Sequence, residues 1–278
     1  MMKKKAEKGS RSLRTLVIYG IFVLGLILLS FMIRLFYLIG DSKFDGKHRY
    51  NLVIGDLPAG RQVHRVSGLM SFEPVTSSLS LLIFPNNSNL SFSDFNRKFG
   101  VIPDGYIKTR YSYSLERVIP NILQSFLVHS NNILTNINYY DLLRLYLYAK
   151  KVPVSSIIVE EASISDDVRD FNKDASLLLT DNVASAENIS VQIVNAAGQS
   201  GLGGRLERVI LNFGGNVVSV KTALIIEPIS KIQYYGQETY TLNKLERYLS
   251  IKKERLDKED IARIVITIGE DIKNTLLF

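Results

Sequence analysis

Cysteine is absent from the chain. That excludes a disulfide scaffold, a thiol nucleophile, and zinc or iron–sulfur centres held by cysteine. Excess charge is also scarce once the N-terminus is set aside. The formal net charge is +7, but residues 1–14 supply +5 and Arg34 one more, which leaves +1 for residues 41–278. The pI of 9.4 therefore belongs to the tail and gives little reason to expect nucleic-acid binding. There is no internal repeat at 20–50-residue spacing, no G-x-S-x-G, and no spaced histidine pair for zinc. What remains is ordinary globular composition: 278 residues, 46% apolar and 22% charged. That length allows one or two folded units, and the composition excludes a wholly disordered chain, a collagen or a coiled coil.

Residues 15–33 (TLVIYGIFVLGLILLSFMI) run for 19 positions without a charge. Arg34 interrupts, and LFYLI continues to Ile39. About 20 apolar residues in a helix cross a hydrocarbon core, and an arginine near the end can snorkel to the headgroups. Residues 15–39 are expected to be a transmembrane helix, with the basic residues 1–14 held in the cytoplasm and 41–278 outside it. The rival is a cleaved signal peptide. Its apolar region is normally about 7–15 residues and ends in a small-x-small site, and neither feature fits here.

Beyond the span the pattern predicts an α/β (α+β) protein. Residues 41–50 read as a polar stalk. A mixed α/β middle domain is expected over 50–160, with strands at 51–55 (NLVIG), 68–72 (GLMSF) and 79–84 (LSLLIF). Leu115, Val118, Ile122 and Phe126 share a helical face, which Pro120 bends or restarts. A second helix is expected over 141–151, capped by Asp141, and a strand over 154–159. Residues 161–187 read as an acidic linker, with 177–179 (LLL) able to dock. Residues 188–278 predict a β-α-β-β-α-β unit. Strands fall at 189–196, 216–221, 231–235 and 264–268. One helix carries Leu202, Leu206, Val209, Ile210 and Phe213 on one face, and a second covers 237–250. Residues 252–260 (KKERLDKED) balance bases and acids and read as a solvated loop. This order is that of the split, ferredoxin-like arrangement.

The C-terminal unit resembles the C-terminal domain of the LytR-CpsA-Psr cell-envelope family. The carrying residues are IVNAAGQSGLGGRL (193–206), NVVSV (216–220), IQYYG (232–236) and IVITIGEDI (264–272). YNLVIGD (50–56) and VSGLMSFEPVTSSLSLLIFP (66–85) are similar to the opening strand and central hairpin of the family's catalytic domain, in reduced form. Active relatives transfer a glycopolymer from a polyprenyl-pyrophosphate carrier to the cell wall, and the resemblance implies an Arg-Asp pair after the hairpin's final proline. Here Asn86 and Asn87 follow Pro85. Asparagine brings neither positive charge to a pyrophosphate nor an anionic ligand to magnesium. No catalytic residue is therefore assigned, and the balance is against an enzyme.

Gly198, Gly201, Gly203 and Gly204, followed by Arg205, form a G-x-x-G-x-G-G run before a helix. It matches neither the dinucleotide fingerprint nor the P-loop. A tight structural turn is the first reading and a ligand or anion loop the second. His48, His64 and His129 are isolated, and Asp166, Asp167, Asp170 and Asp174 lack calcium-loop register, so no metal or cofactor is expected. Tyr139, Tyr140, Tyr146 and Tyr148 share helical faces with leucines, which favours packing over sugar stacking. The leading expectation is a membrane-anchored, extracytoplasmic cell-envelope protein. It would act as a wall-associated binding or accessory module whose partners are the cytoplasmic membrane and cell-wall polymer or envelope proteins, without nucleic acid. Two alternatives stand beside it. One is a divergent glycopolymer phosphotransferase using Arg61, Arg65, Asp94 and Arg97. The other is a bitopic assembly scaffold that pairs through an exposed sheet edge.

Overall fold

The computed structural model describes residues 3–56, 66–84, 91, 95, 99–109, 119–129, 133–161, 178–257 and 261–274, with backbone alone for 3–15, 273 and 274. The chain divides into two units, Met1–Lys43 and Phe44–Phe278. The first unit is a helix, α1 (Lys3–Gly40). Its segment Leu16–Gly40 is 25 residues, long and apolar enough to cross a membrane. Apart from the half-buried Leu38, the large apolar side chains of this segment are solvent-exposed, as expected of a helix with no internal core to face.

The second unit contains two mixed sheets. The first comprises β1 (Tyr50–Asp56), β2 (Val66–Glu73), β3 (Ser78–Ile83), β4 (Gly105–Thr109), β5 (Ile133–Thr135) and β6 (Ile157–Glu161), in the order β5-β4-β1-β2-β3-β6. The β1–β2–β3 meander is antiparallel, while β4 joins β1 and β6 joins β3 in parallel. Side-chain alternation sends Leu52, Ile54, Met70, Phe72, Leu79 and Leu81 to one face, against α2 (Ile119–Val128) and α3 (Tyr139–Lys151). Val53, Leu69 and Leu82 take the other face, against Phe84, Phe95, Phe99, Val101, Leu178 and Leu179. Both faces are buried, which explains why these strands read as continuous apolar runs rather than strict alternations.

Several expectations change here. Pro120 sits in the first described turn of α2, where a missing N–H is tolerated at a helix start, and the expected helical positions Leu115 and Val118 lie outside the described residues. The cap of α3 is Asn138, whose side chain accepts from the Asp141 amide at 2.7 Å. Asp141 is instead buried in the first turn, where it accepts from the Phe44 amide at 3.2 Å. The expected polar stalk is likewise shorter, because Phe44, Arg49 and Tyr50 are all buried. In the stretch read as an acidic linker, 162–177 lie outside the described residues. From Leu178 the chain is packed, and Asp181 caps the short helix α4 (Asn182–Glu187).

The second sheet comprises β7 (Ser190–Asn195), β8 (Asn216–Thr222), β9 (Lys231–Tyr235), β10 (Lys253–Leu256) and β11 (Ile264–Ile268). Helices α5 (Leu202–Asn212) and α6 (Tyr240–Leu249) share one apolar core with it. The strand order is β10-β9-β11-β7-β8. The expected β-α-β-β-α-β succession is present with one strand added, since residues 253–256, read as solvated loop, pair in parallel with β9. The expected split arrangement does not hold. There, a strand separates the two members of a βαβ unit. Here β7 and β8 are direct parallel neighbours, as are β9 and β10, and β11 lies between the two pairs.

Candidate functional site

The glycine loop leaves the carboxyl end of β7. Strands β8 and β11 run parallel to β7, so three strand ends and their loops meet on that side. Open α/β sheets commonly place ligands there. Asn195 organises the turn: its Nδ2 donates to the Gln199 carbonyl at 2.8 Å and its Oδ1 accepts from the Ala197 amide at 3.3 Å.

The glycines divide by role. A Cβ on Gly198, which has φ +69°, would lie 2.8 Å from Ile226 Cδ1, and one on Gly203 would lie 2.9 Å from Val220 Cγ1. Those two permit close packing. Gly201, at φ +84°, is the N-cap of α5 and makes no side-chain capping bond. Gly201 and Gly204 both face open space. Leu202 and Gly203, the first two residues of α5, are buried and Gly204 is exposed; the helix dipole at this end favours negative charge. Arg205, one turn in, adds positive charge, and burial first and then Arg205 itself pull Arg208 below the usual arginine value. The loop can bind. Its residues 196–205 include no carboxylate or histidine to act as a general base.

Beside it lies a feature that the sequence reading passed over. Leu224, Ile225, Ile226 and Ile229, in the β8–β9 connection, are all exposed. The base of this connection is firmly tied. The Ala223 amide donates to the Asn195 carbonyl and the Glu227 amide to the Ala196 carbonyl, each at 2.9 Å. Asp271 Oδ1 accepts from the Ser230 amide and hydroxyl at 2.9 and 2.6 Å. Apolar side chains held outward on a fixed base form a patch suited to an external apolar partner. The signal available in the sequence was ALII, four apolar residues between strands with no polar alternation.

A second missed group lies at the junction of the two sheets. Arg49 Nε bonds Glu73 Oε2 at 2.9 Å, and its Nη1 reaches Ser71 Oγ at 2.7 Å and the Leu178 carbonyl at 2.5 Å. Asp181 Oδ2 accepts from Lys244 Nζ at 2.8 Å and from the Tyr240 hydroxyl at 2.5 Å. Glu187 accepts from the Tyr240 and Thr241 amides at 2.8 Å each. Asn212 Nδ2 ties the end of α5 to the Phe99 carbonyl at 2.8 Å. Burial alone would raise the Asp181 carboxyl, but Lys244, Tyr240 and the capped amides more than offset it and hold it below the usual range. Asp104, which accepts from the Asn51 amide at 2.8 Å, is raised by burial despite Lys244. This group is consumed by its own pairing. It holds the sheets together and offers no open coordination or nucleophile.

The remaining sequence candidates fall elsewhere. His48 stacks on Tyr240 and bonds Asp45. His129 Nδ1 contacts the Ser125 carbonyl. The Tyr148 hydroxyl donates to the Glu73 carbonyl at 2.7 Å, and burial pushes that phenol up to about 12. Tyr146 packs at the core margin beneath Lys150, Tyr140 lies under Arg144, and Tyr139 is exposed. Arg61, His64, Arg65, Asn86, Asn87, Asp94, Arg97, Asp166, Asp167, Asp170 and Asp174 lie outside the described residues. Among the described residues, no cluster of three or more histidine or acidic side chains could hold a metal ion.

No family model matches the chain, and no curated protein matches it. Among solved structures, the transcriptional regulator yvhJ from Bacillus subtilis aligns with 43% of this chain and 84% of its own at 9% identity. The TM-score is 0.33, too low a likeness to assign either fold or role.

Proposed function

We propose that this protein is a single-pass, membrane-tethered module of the cell envelope. Its body lies outside the cytoplasm and binds an envelope partner rather than turning over a substrate. One observation carries the reading: a membrane-length apolar helix, Leu16–Gly40, is followed within four residues by Phe44, the first buried residue of a folded body. The basic residues 1–14 support the orientation. The resemblance of 193–206, 216–220, 232–236 and 264–272 to the LytR-CpsA-Psr C-terminal domain supports a wall-facing role. The positive end of the α5 dipole and Arg205, beside the apolar Leu224–Ile226 tip, supply binding chemistry without a base. Protease added to intact spheroplasts should digest the body and spare residues 1–14. Purified full chain in detergent should sediment with isolated wall sacculi, and Arg205→Glu should weaken that several-fold. A protected body would refute the orientation. Magnesium-dependent transfer from a polyprenyl-pyrophosphate donor would refute the non-enzymatic role.

A further inference from the structure

Four strands form the outer edges of the two sheets, and they are not equally defended. An edge presents unpaired N–H and C=O groups to any passing strand, so proteins shorten such strands or charge them. β5 is three residues long. β10 reads KERL, and its Lys253 is engaged by Glu238 at 2.7 Å and Glu246 at 3.1 Å. Among the described residues, β6 and β8 have neither defence over most of their length. In β6, Ile158 is 41% and Val159 51% exposed; in β8, Val218 is 48% and Val220 39% exposed. Each ends in charge of one sign, Glu160 and Glu161 on β6 and Lys221 on β8. None of these three joins an ion pair among the described residues.

We propose that β8 of one copy of this chain adds in parallel to β6 of another. The charges select direction and register. In parallel, Val159 falls beside Ser219, Glu160 beside Val220 and Glu161 beside Lys221. Antiparallel pairing over the same length would set Lys221 beside Ile157 and Glu161 beside Val217, which separates the opposite charges that stabilise cross-strand neighbours. β8 carries one irregularity in its pairing to β7, between Val191 and Gln192, which leaves Ser219–Thr222 regular for a second partner. Both sheets already accept parallel edge strands, β6 on β3 and β8 on β7. The two surfaces differ, so the contact is heterologous and propagates to a chain or ring of copies rather than closing as a two-fold dimer.

The absence of cysteine makes the test direct. Full chain in detergent micelles, carrying Val159→Cys and Ser219→Cys together, is oxidised with copper phenanthroline and run on non-reducing gels. The Cα spacing of adjacent strands suits a disulfide, so the double variant should give a ladder of dimers, trimers and higher species. Val159→Cys with Thr222→Cys, about 10 Å out of register, should give at most a trace of it. In the double-cysteine background, Lys221→Glu and Glu161→Lys should each cut the ladder at least five-fold, and mixing those two proteins should restore it. Circular dichroism matching the parent confirms that each variant is folded. Absence of a ladder in the folded in-register variant would overturn the proposal. So would complete dimerisation of Ser219→Cys alone, which would indicate two-fold β8–β8 pairing, or a ladder indifferent to both charge reversals.

Discussion

Replacing Asp181 with alanine removes more than one contact. Lys244 Nζ, 5% exposed, loses its carboxylate, the Tyr240 hydroxyl loses its acceptor, and the Val183 and Ala184 amides of α4 lose their cap at 3.0 and 3.4 Å. Removing one partner of a buried ion pair costs about 3–5 kcal/mol, and losing an N-cap about 1 kcal/mol. The two losses share one side chain and do not simply add. Lys244 keeps the Tyr240 hydroxyl at 3.2 Å, the Phe213 ring at 5.4 Å and the field of Asp104, which puts the expected cost near the lower end, about 3 kcal/mol. For a body of this size that is a fall in melting temperature of roughly 6–12 °C, read by circular dichroism. Asp181→Asn with Lys244→Met retains the cap and removes both charges. It should recover most of the loss, because a buried pair is often no better than an apolar replacement. The pH dependence has a fixed sign. A carboxyl held below its usual value binds its proton less readily when folded. Its contribution is therefore complete above the unfolded value of about 3.9 and fades as pH falls through the lower folded value. The gap between parent and Asp181→Asn should stay level from pH 5 to 8 and close in acid. A double variant as unstable as the sum of its singles, or a gap widening in acid, would refute the pairing argument.

Asp104 should behave oppositely. Its carboxyl is raised, so its folded form favours the proton, and Asp104→Asn should raise the melting temperature at pH 7 with the benefit vanishing below about pH 4. A loss at pH 7 would sink this. Gly198→Ala forces a side chain into positive φ against Ile226 and should cost about 1–2 kcal/mol in chemical denaturation. Gly204→Ala, inside α5 and facing open space, should instead stabilise by about 0.5–1 kcal/mol. A fragment 178–278 should melt above a fragment 188–278 in thermal scans, because the shorter one leaves Lys244 without Asp181. Equal melting would show that α4 contributes nothing.

The elements carried by apolar patterning were readable from residues alone. Strands at 51–55, 68–72, 79–84, 189–196 and 264–268 and the apolar face of α5 needed only local periodicity. β10 escaped because KERL lies on a solvated edge, where the strand is defined by backbone pairing to β9 and its side chains carry no apolar signal. The neighbour order of β7 and β8 escaped because element succession is local while adjacency is long-range. Asn138 and Asp141 both suit a helix start, and only the contact to Phe44 explains why the acid turned inward. Of the site, the glycine loop was legible as a turn before a helix. The Asp181–Lys244 pair was not, since its partners lie 63 residues apart. The hint was a lysine between Leu242 and Leu245 on an apolar helix face.

The way the chain enters its body has a mechanical consequence. Only residues 41–43 separate Gly40 from Phe44, roughly 14 Å of fully extended backbone. The ring of Phe44 is wedged among Tyr50, Phe72 and Tyr148, its amide donates to Asp141, and its carbonyl accepts from Arg144. A pull transmitted through α1 has no slack coil in which to dissipate. The first contacts along the chain that such a pull should load are those of the Phe44 plug with Tyr50, Phe72, Tyr148 and the start of α3.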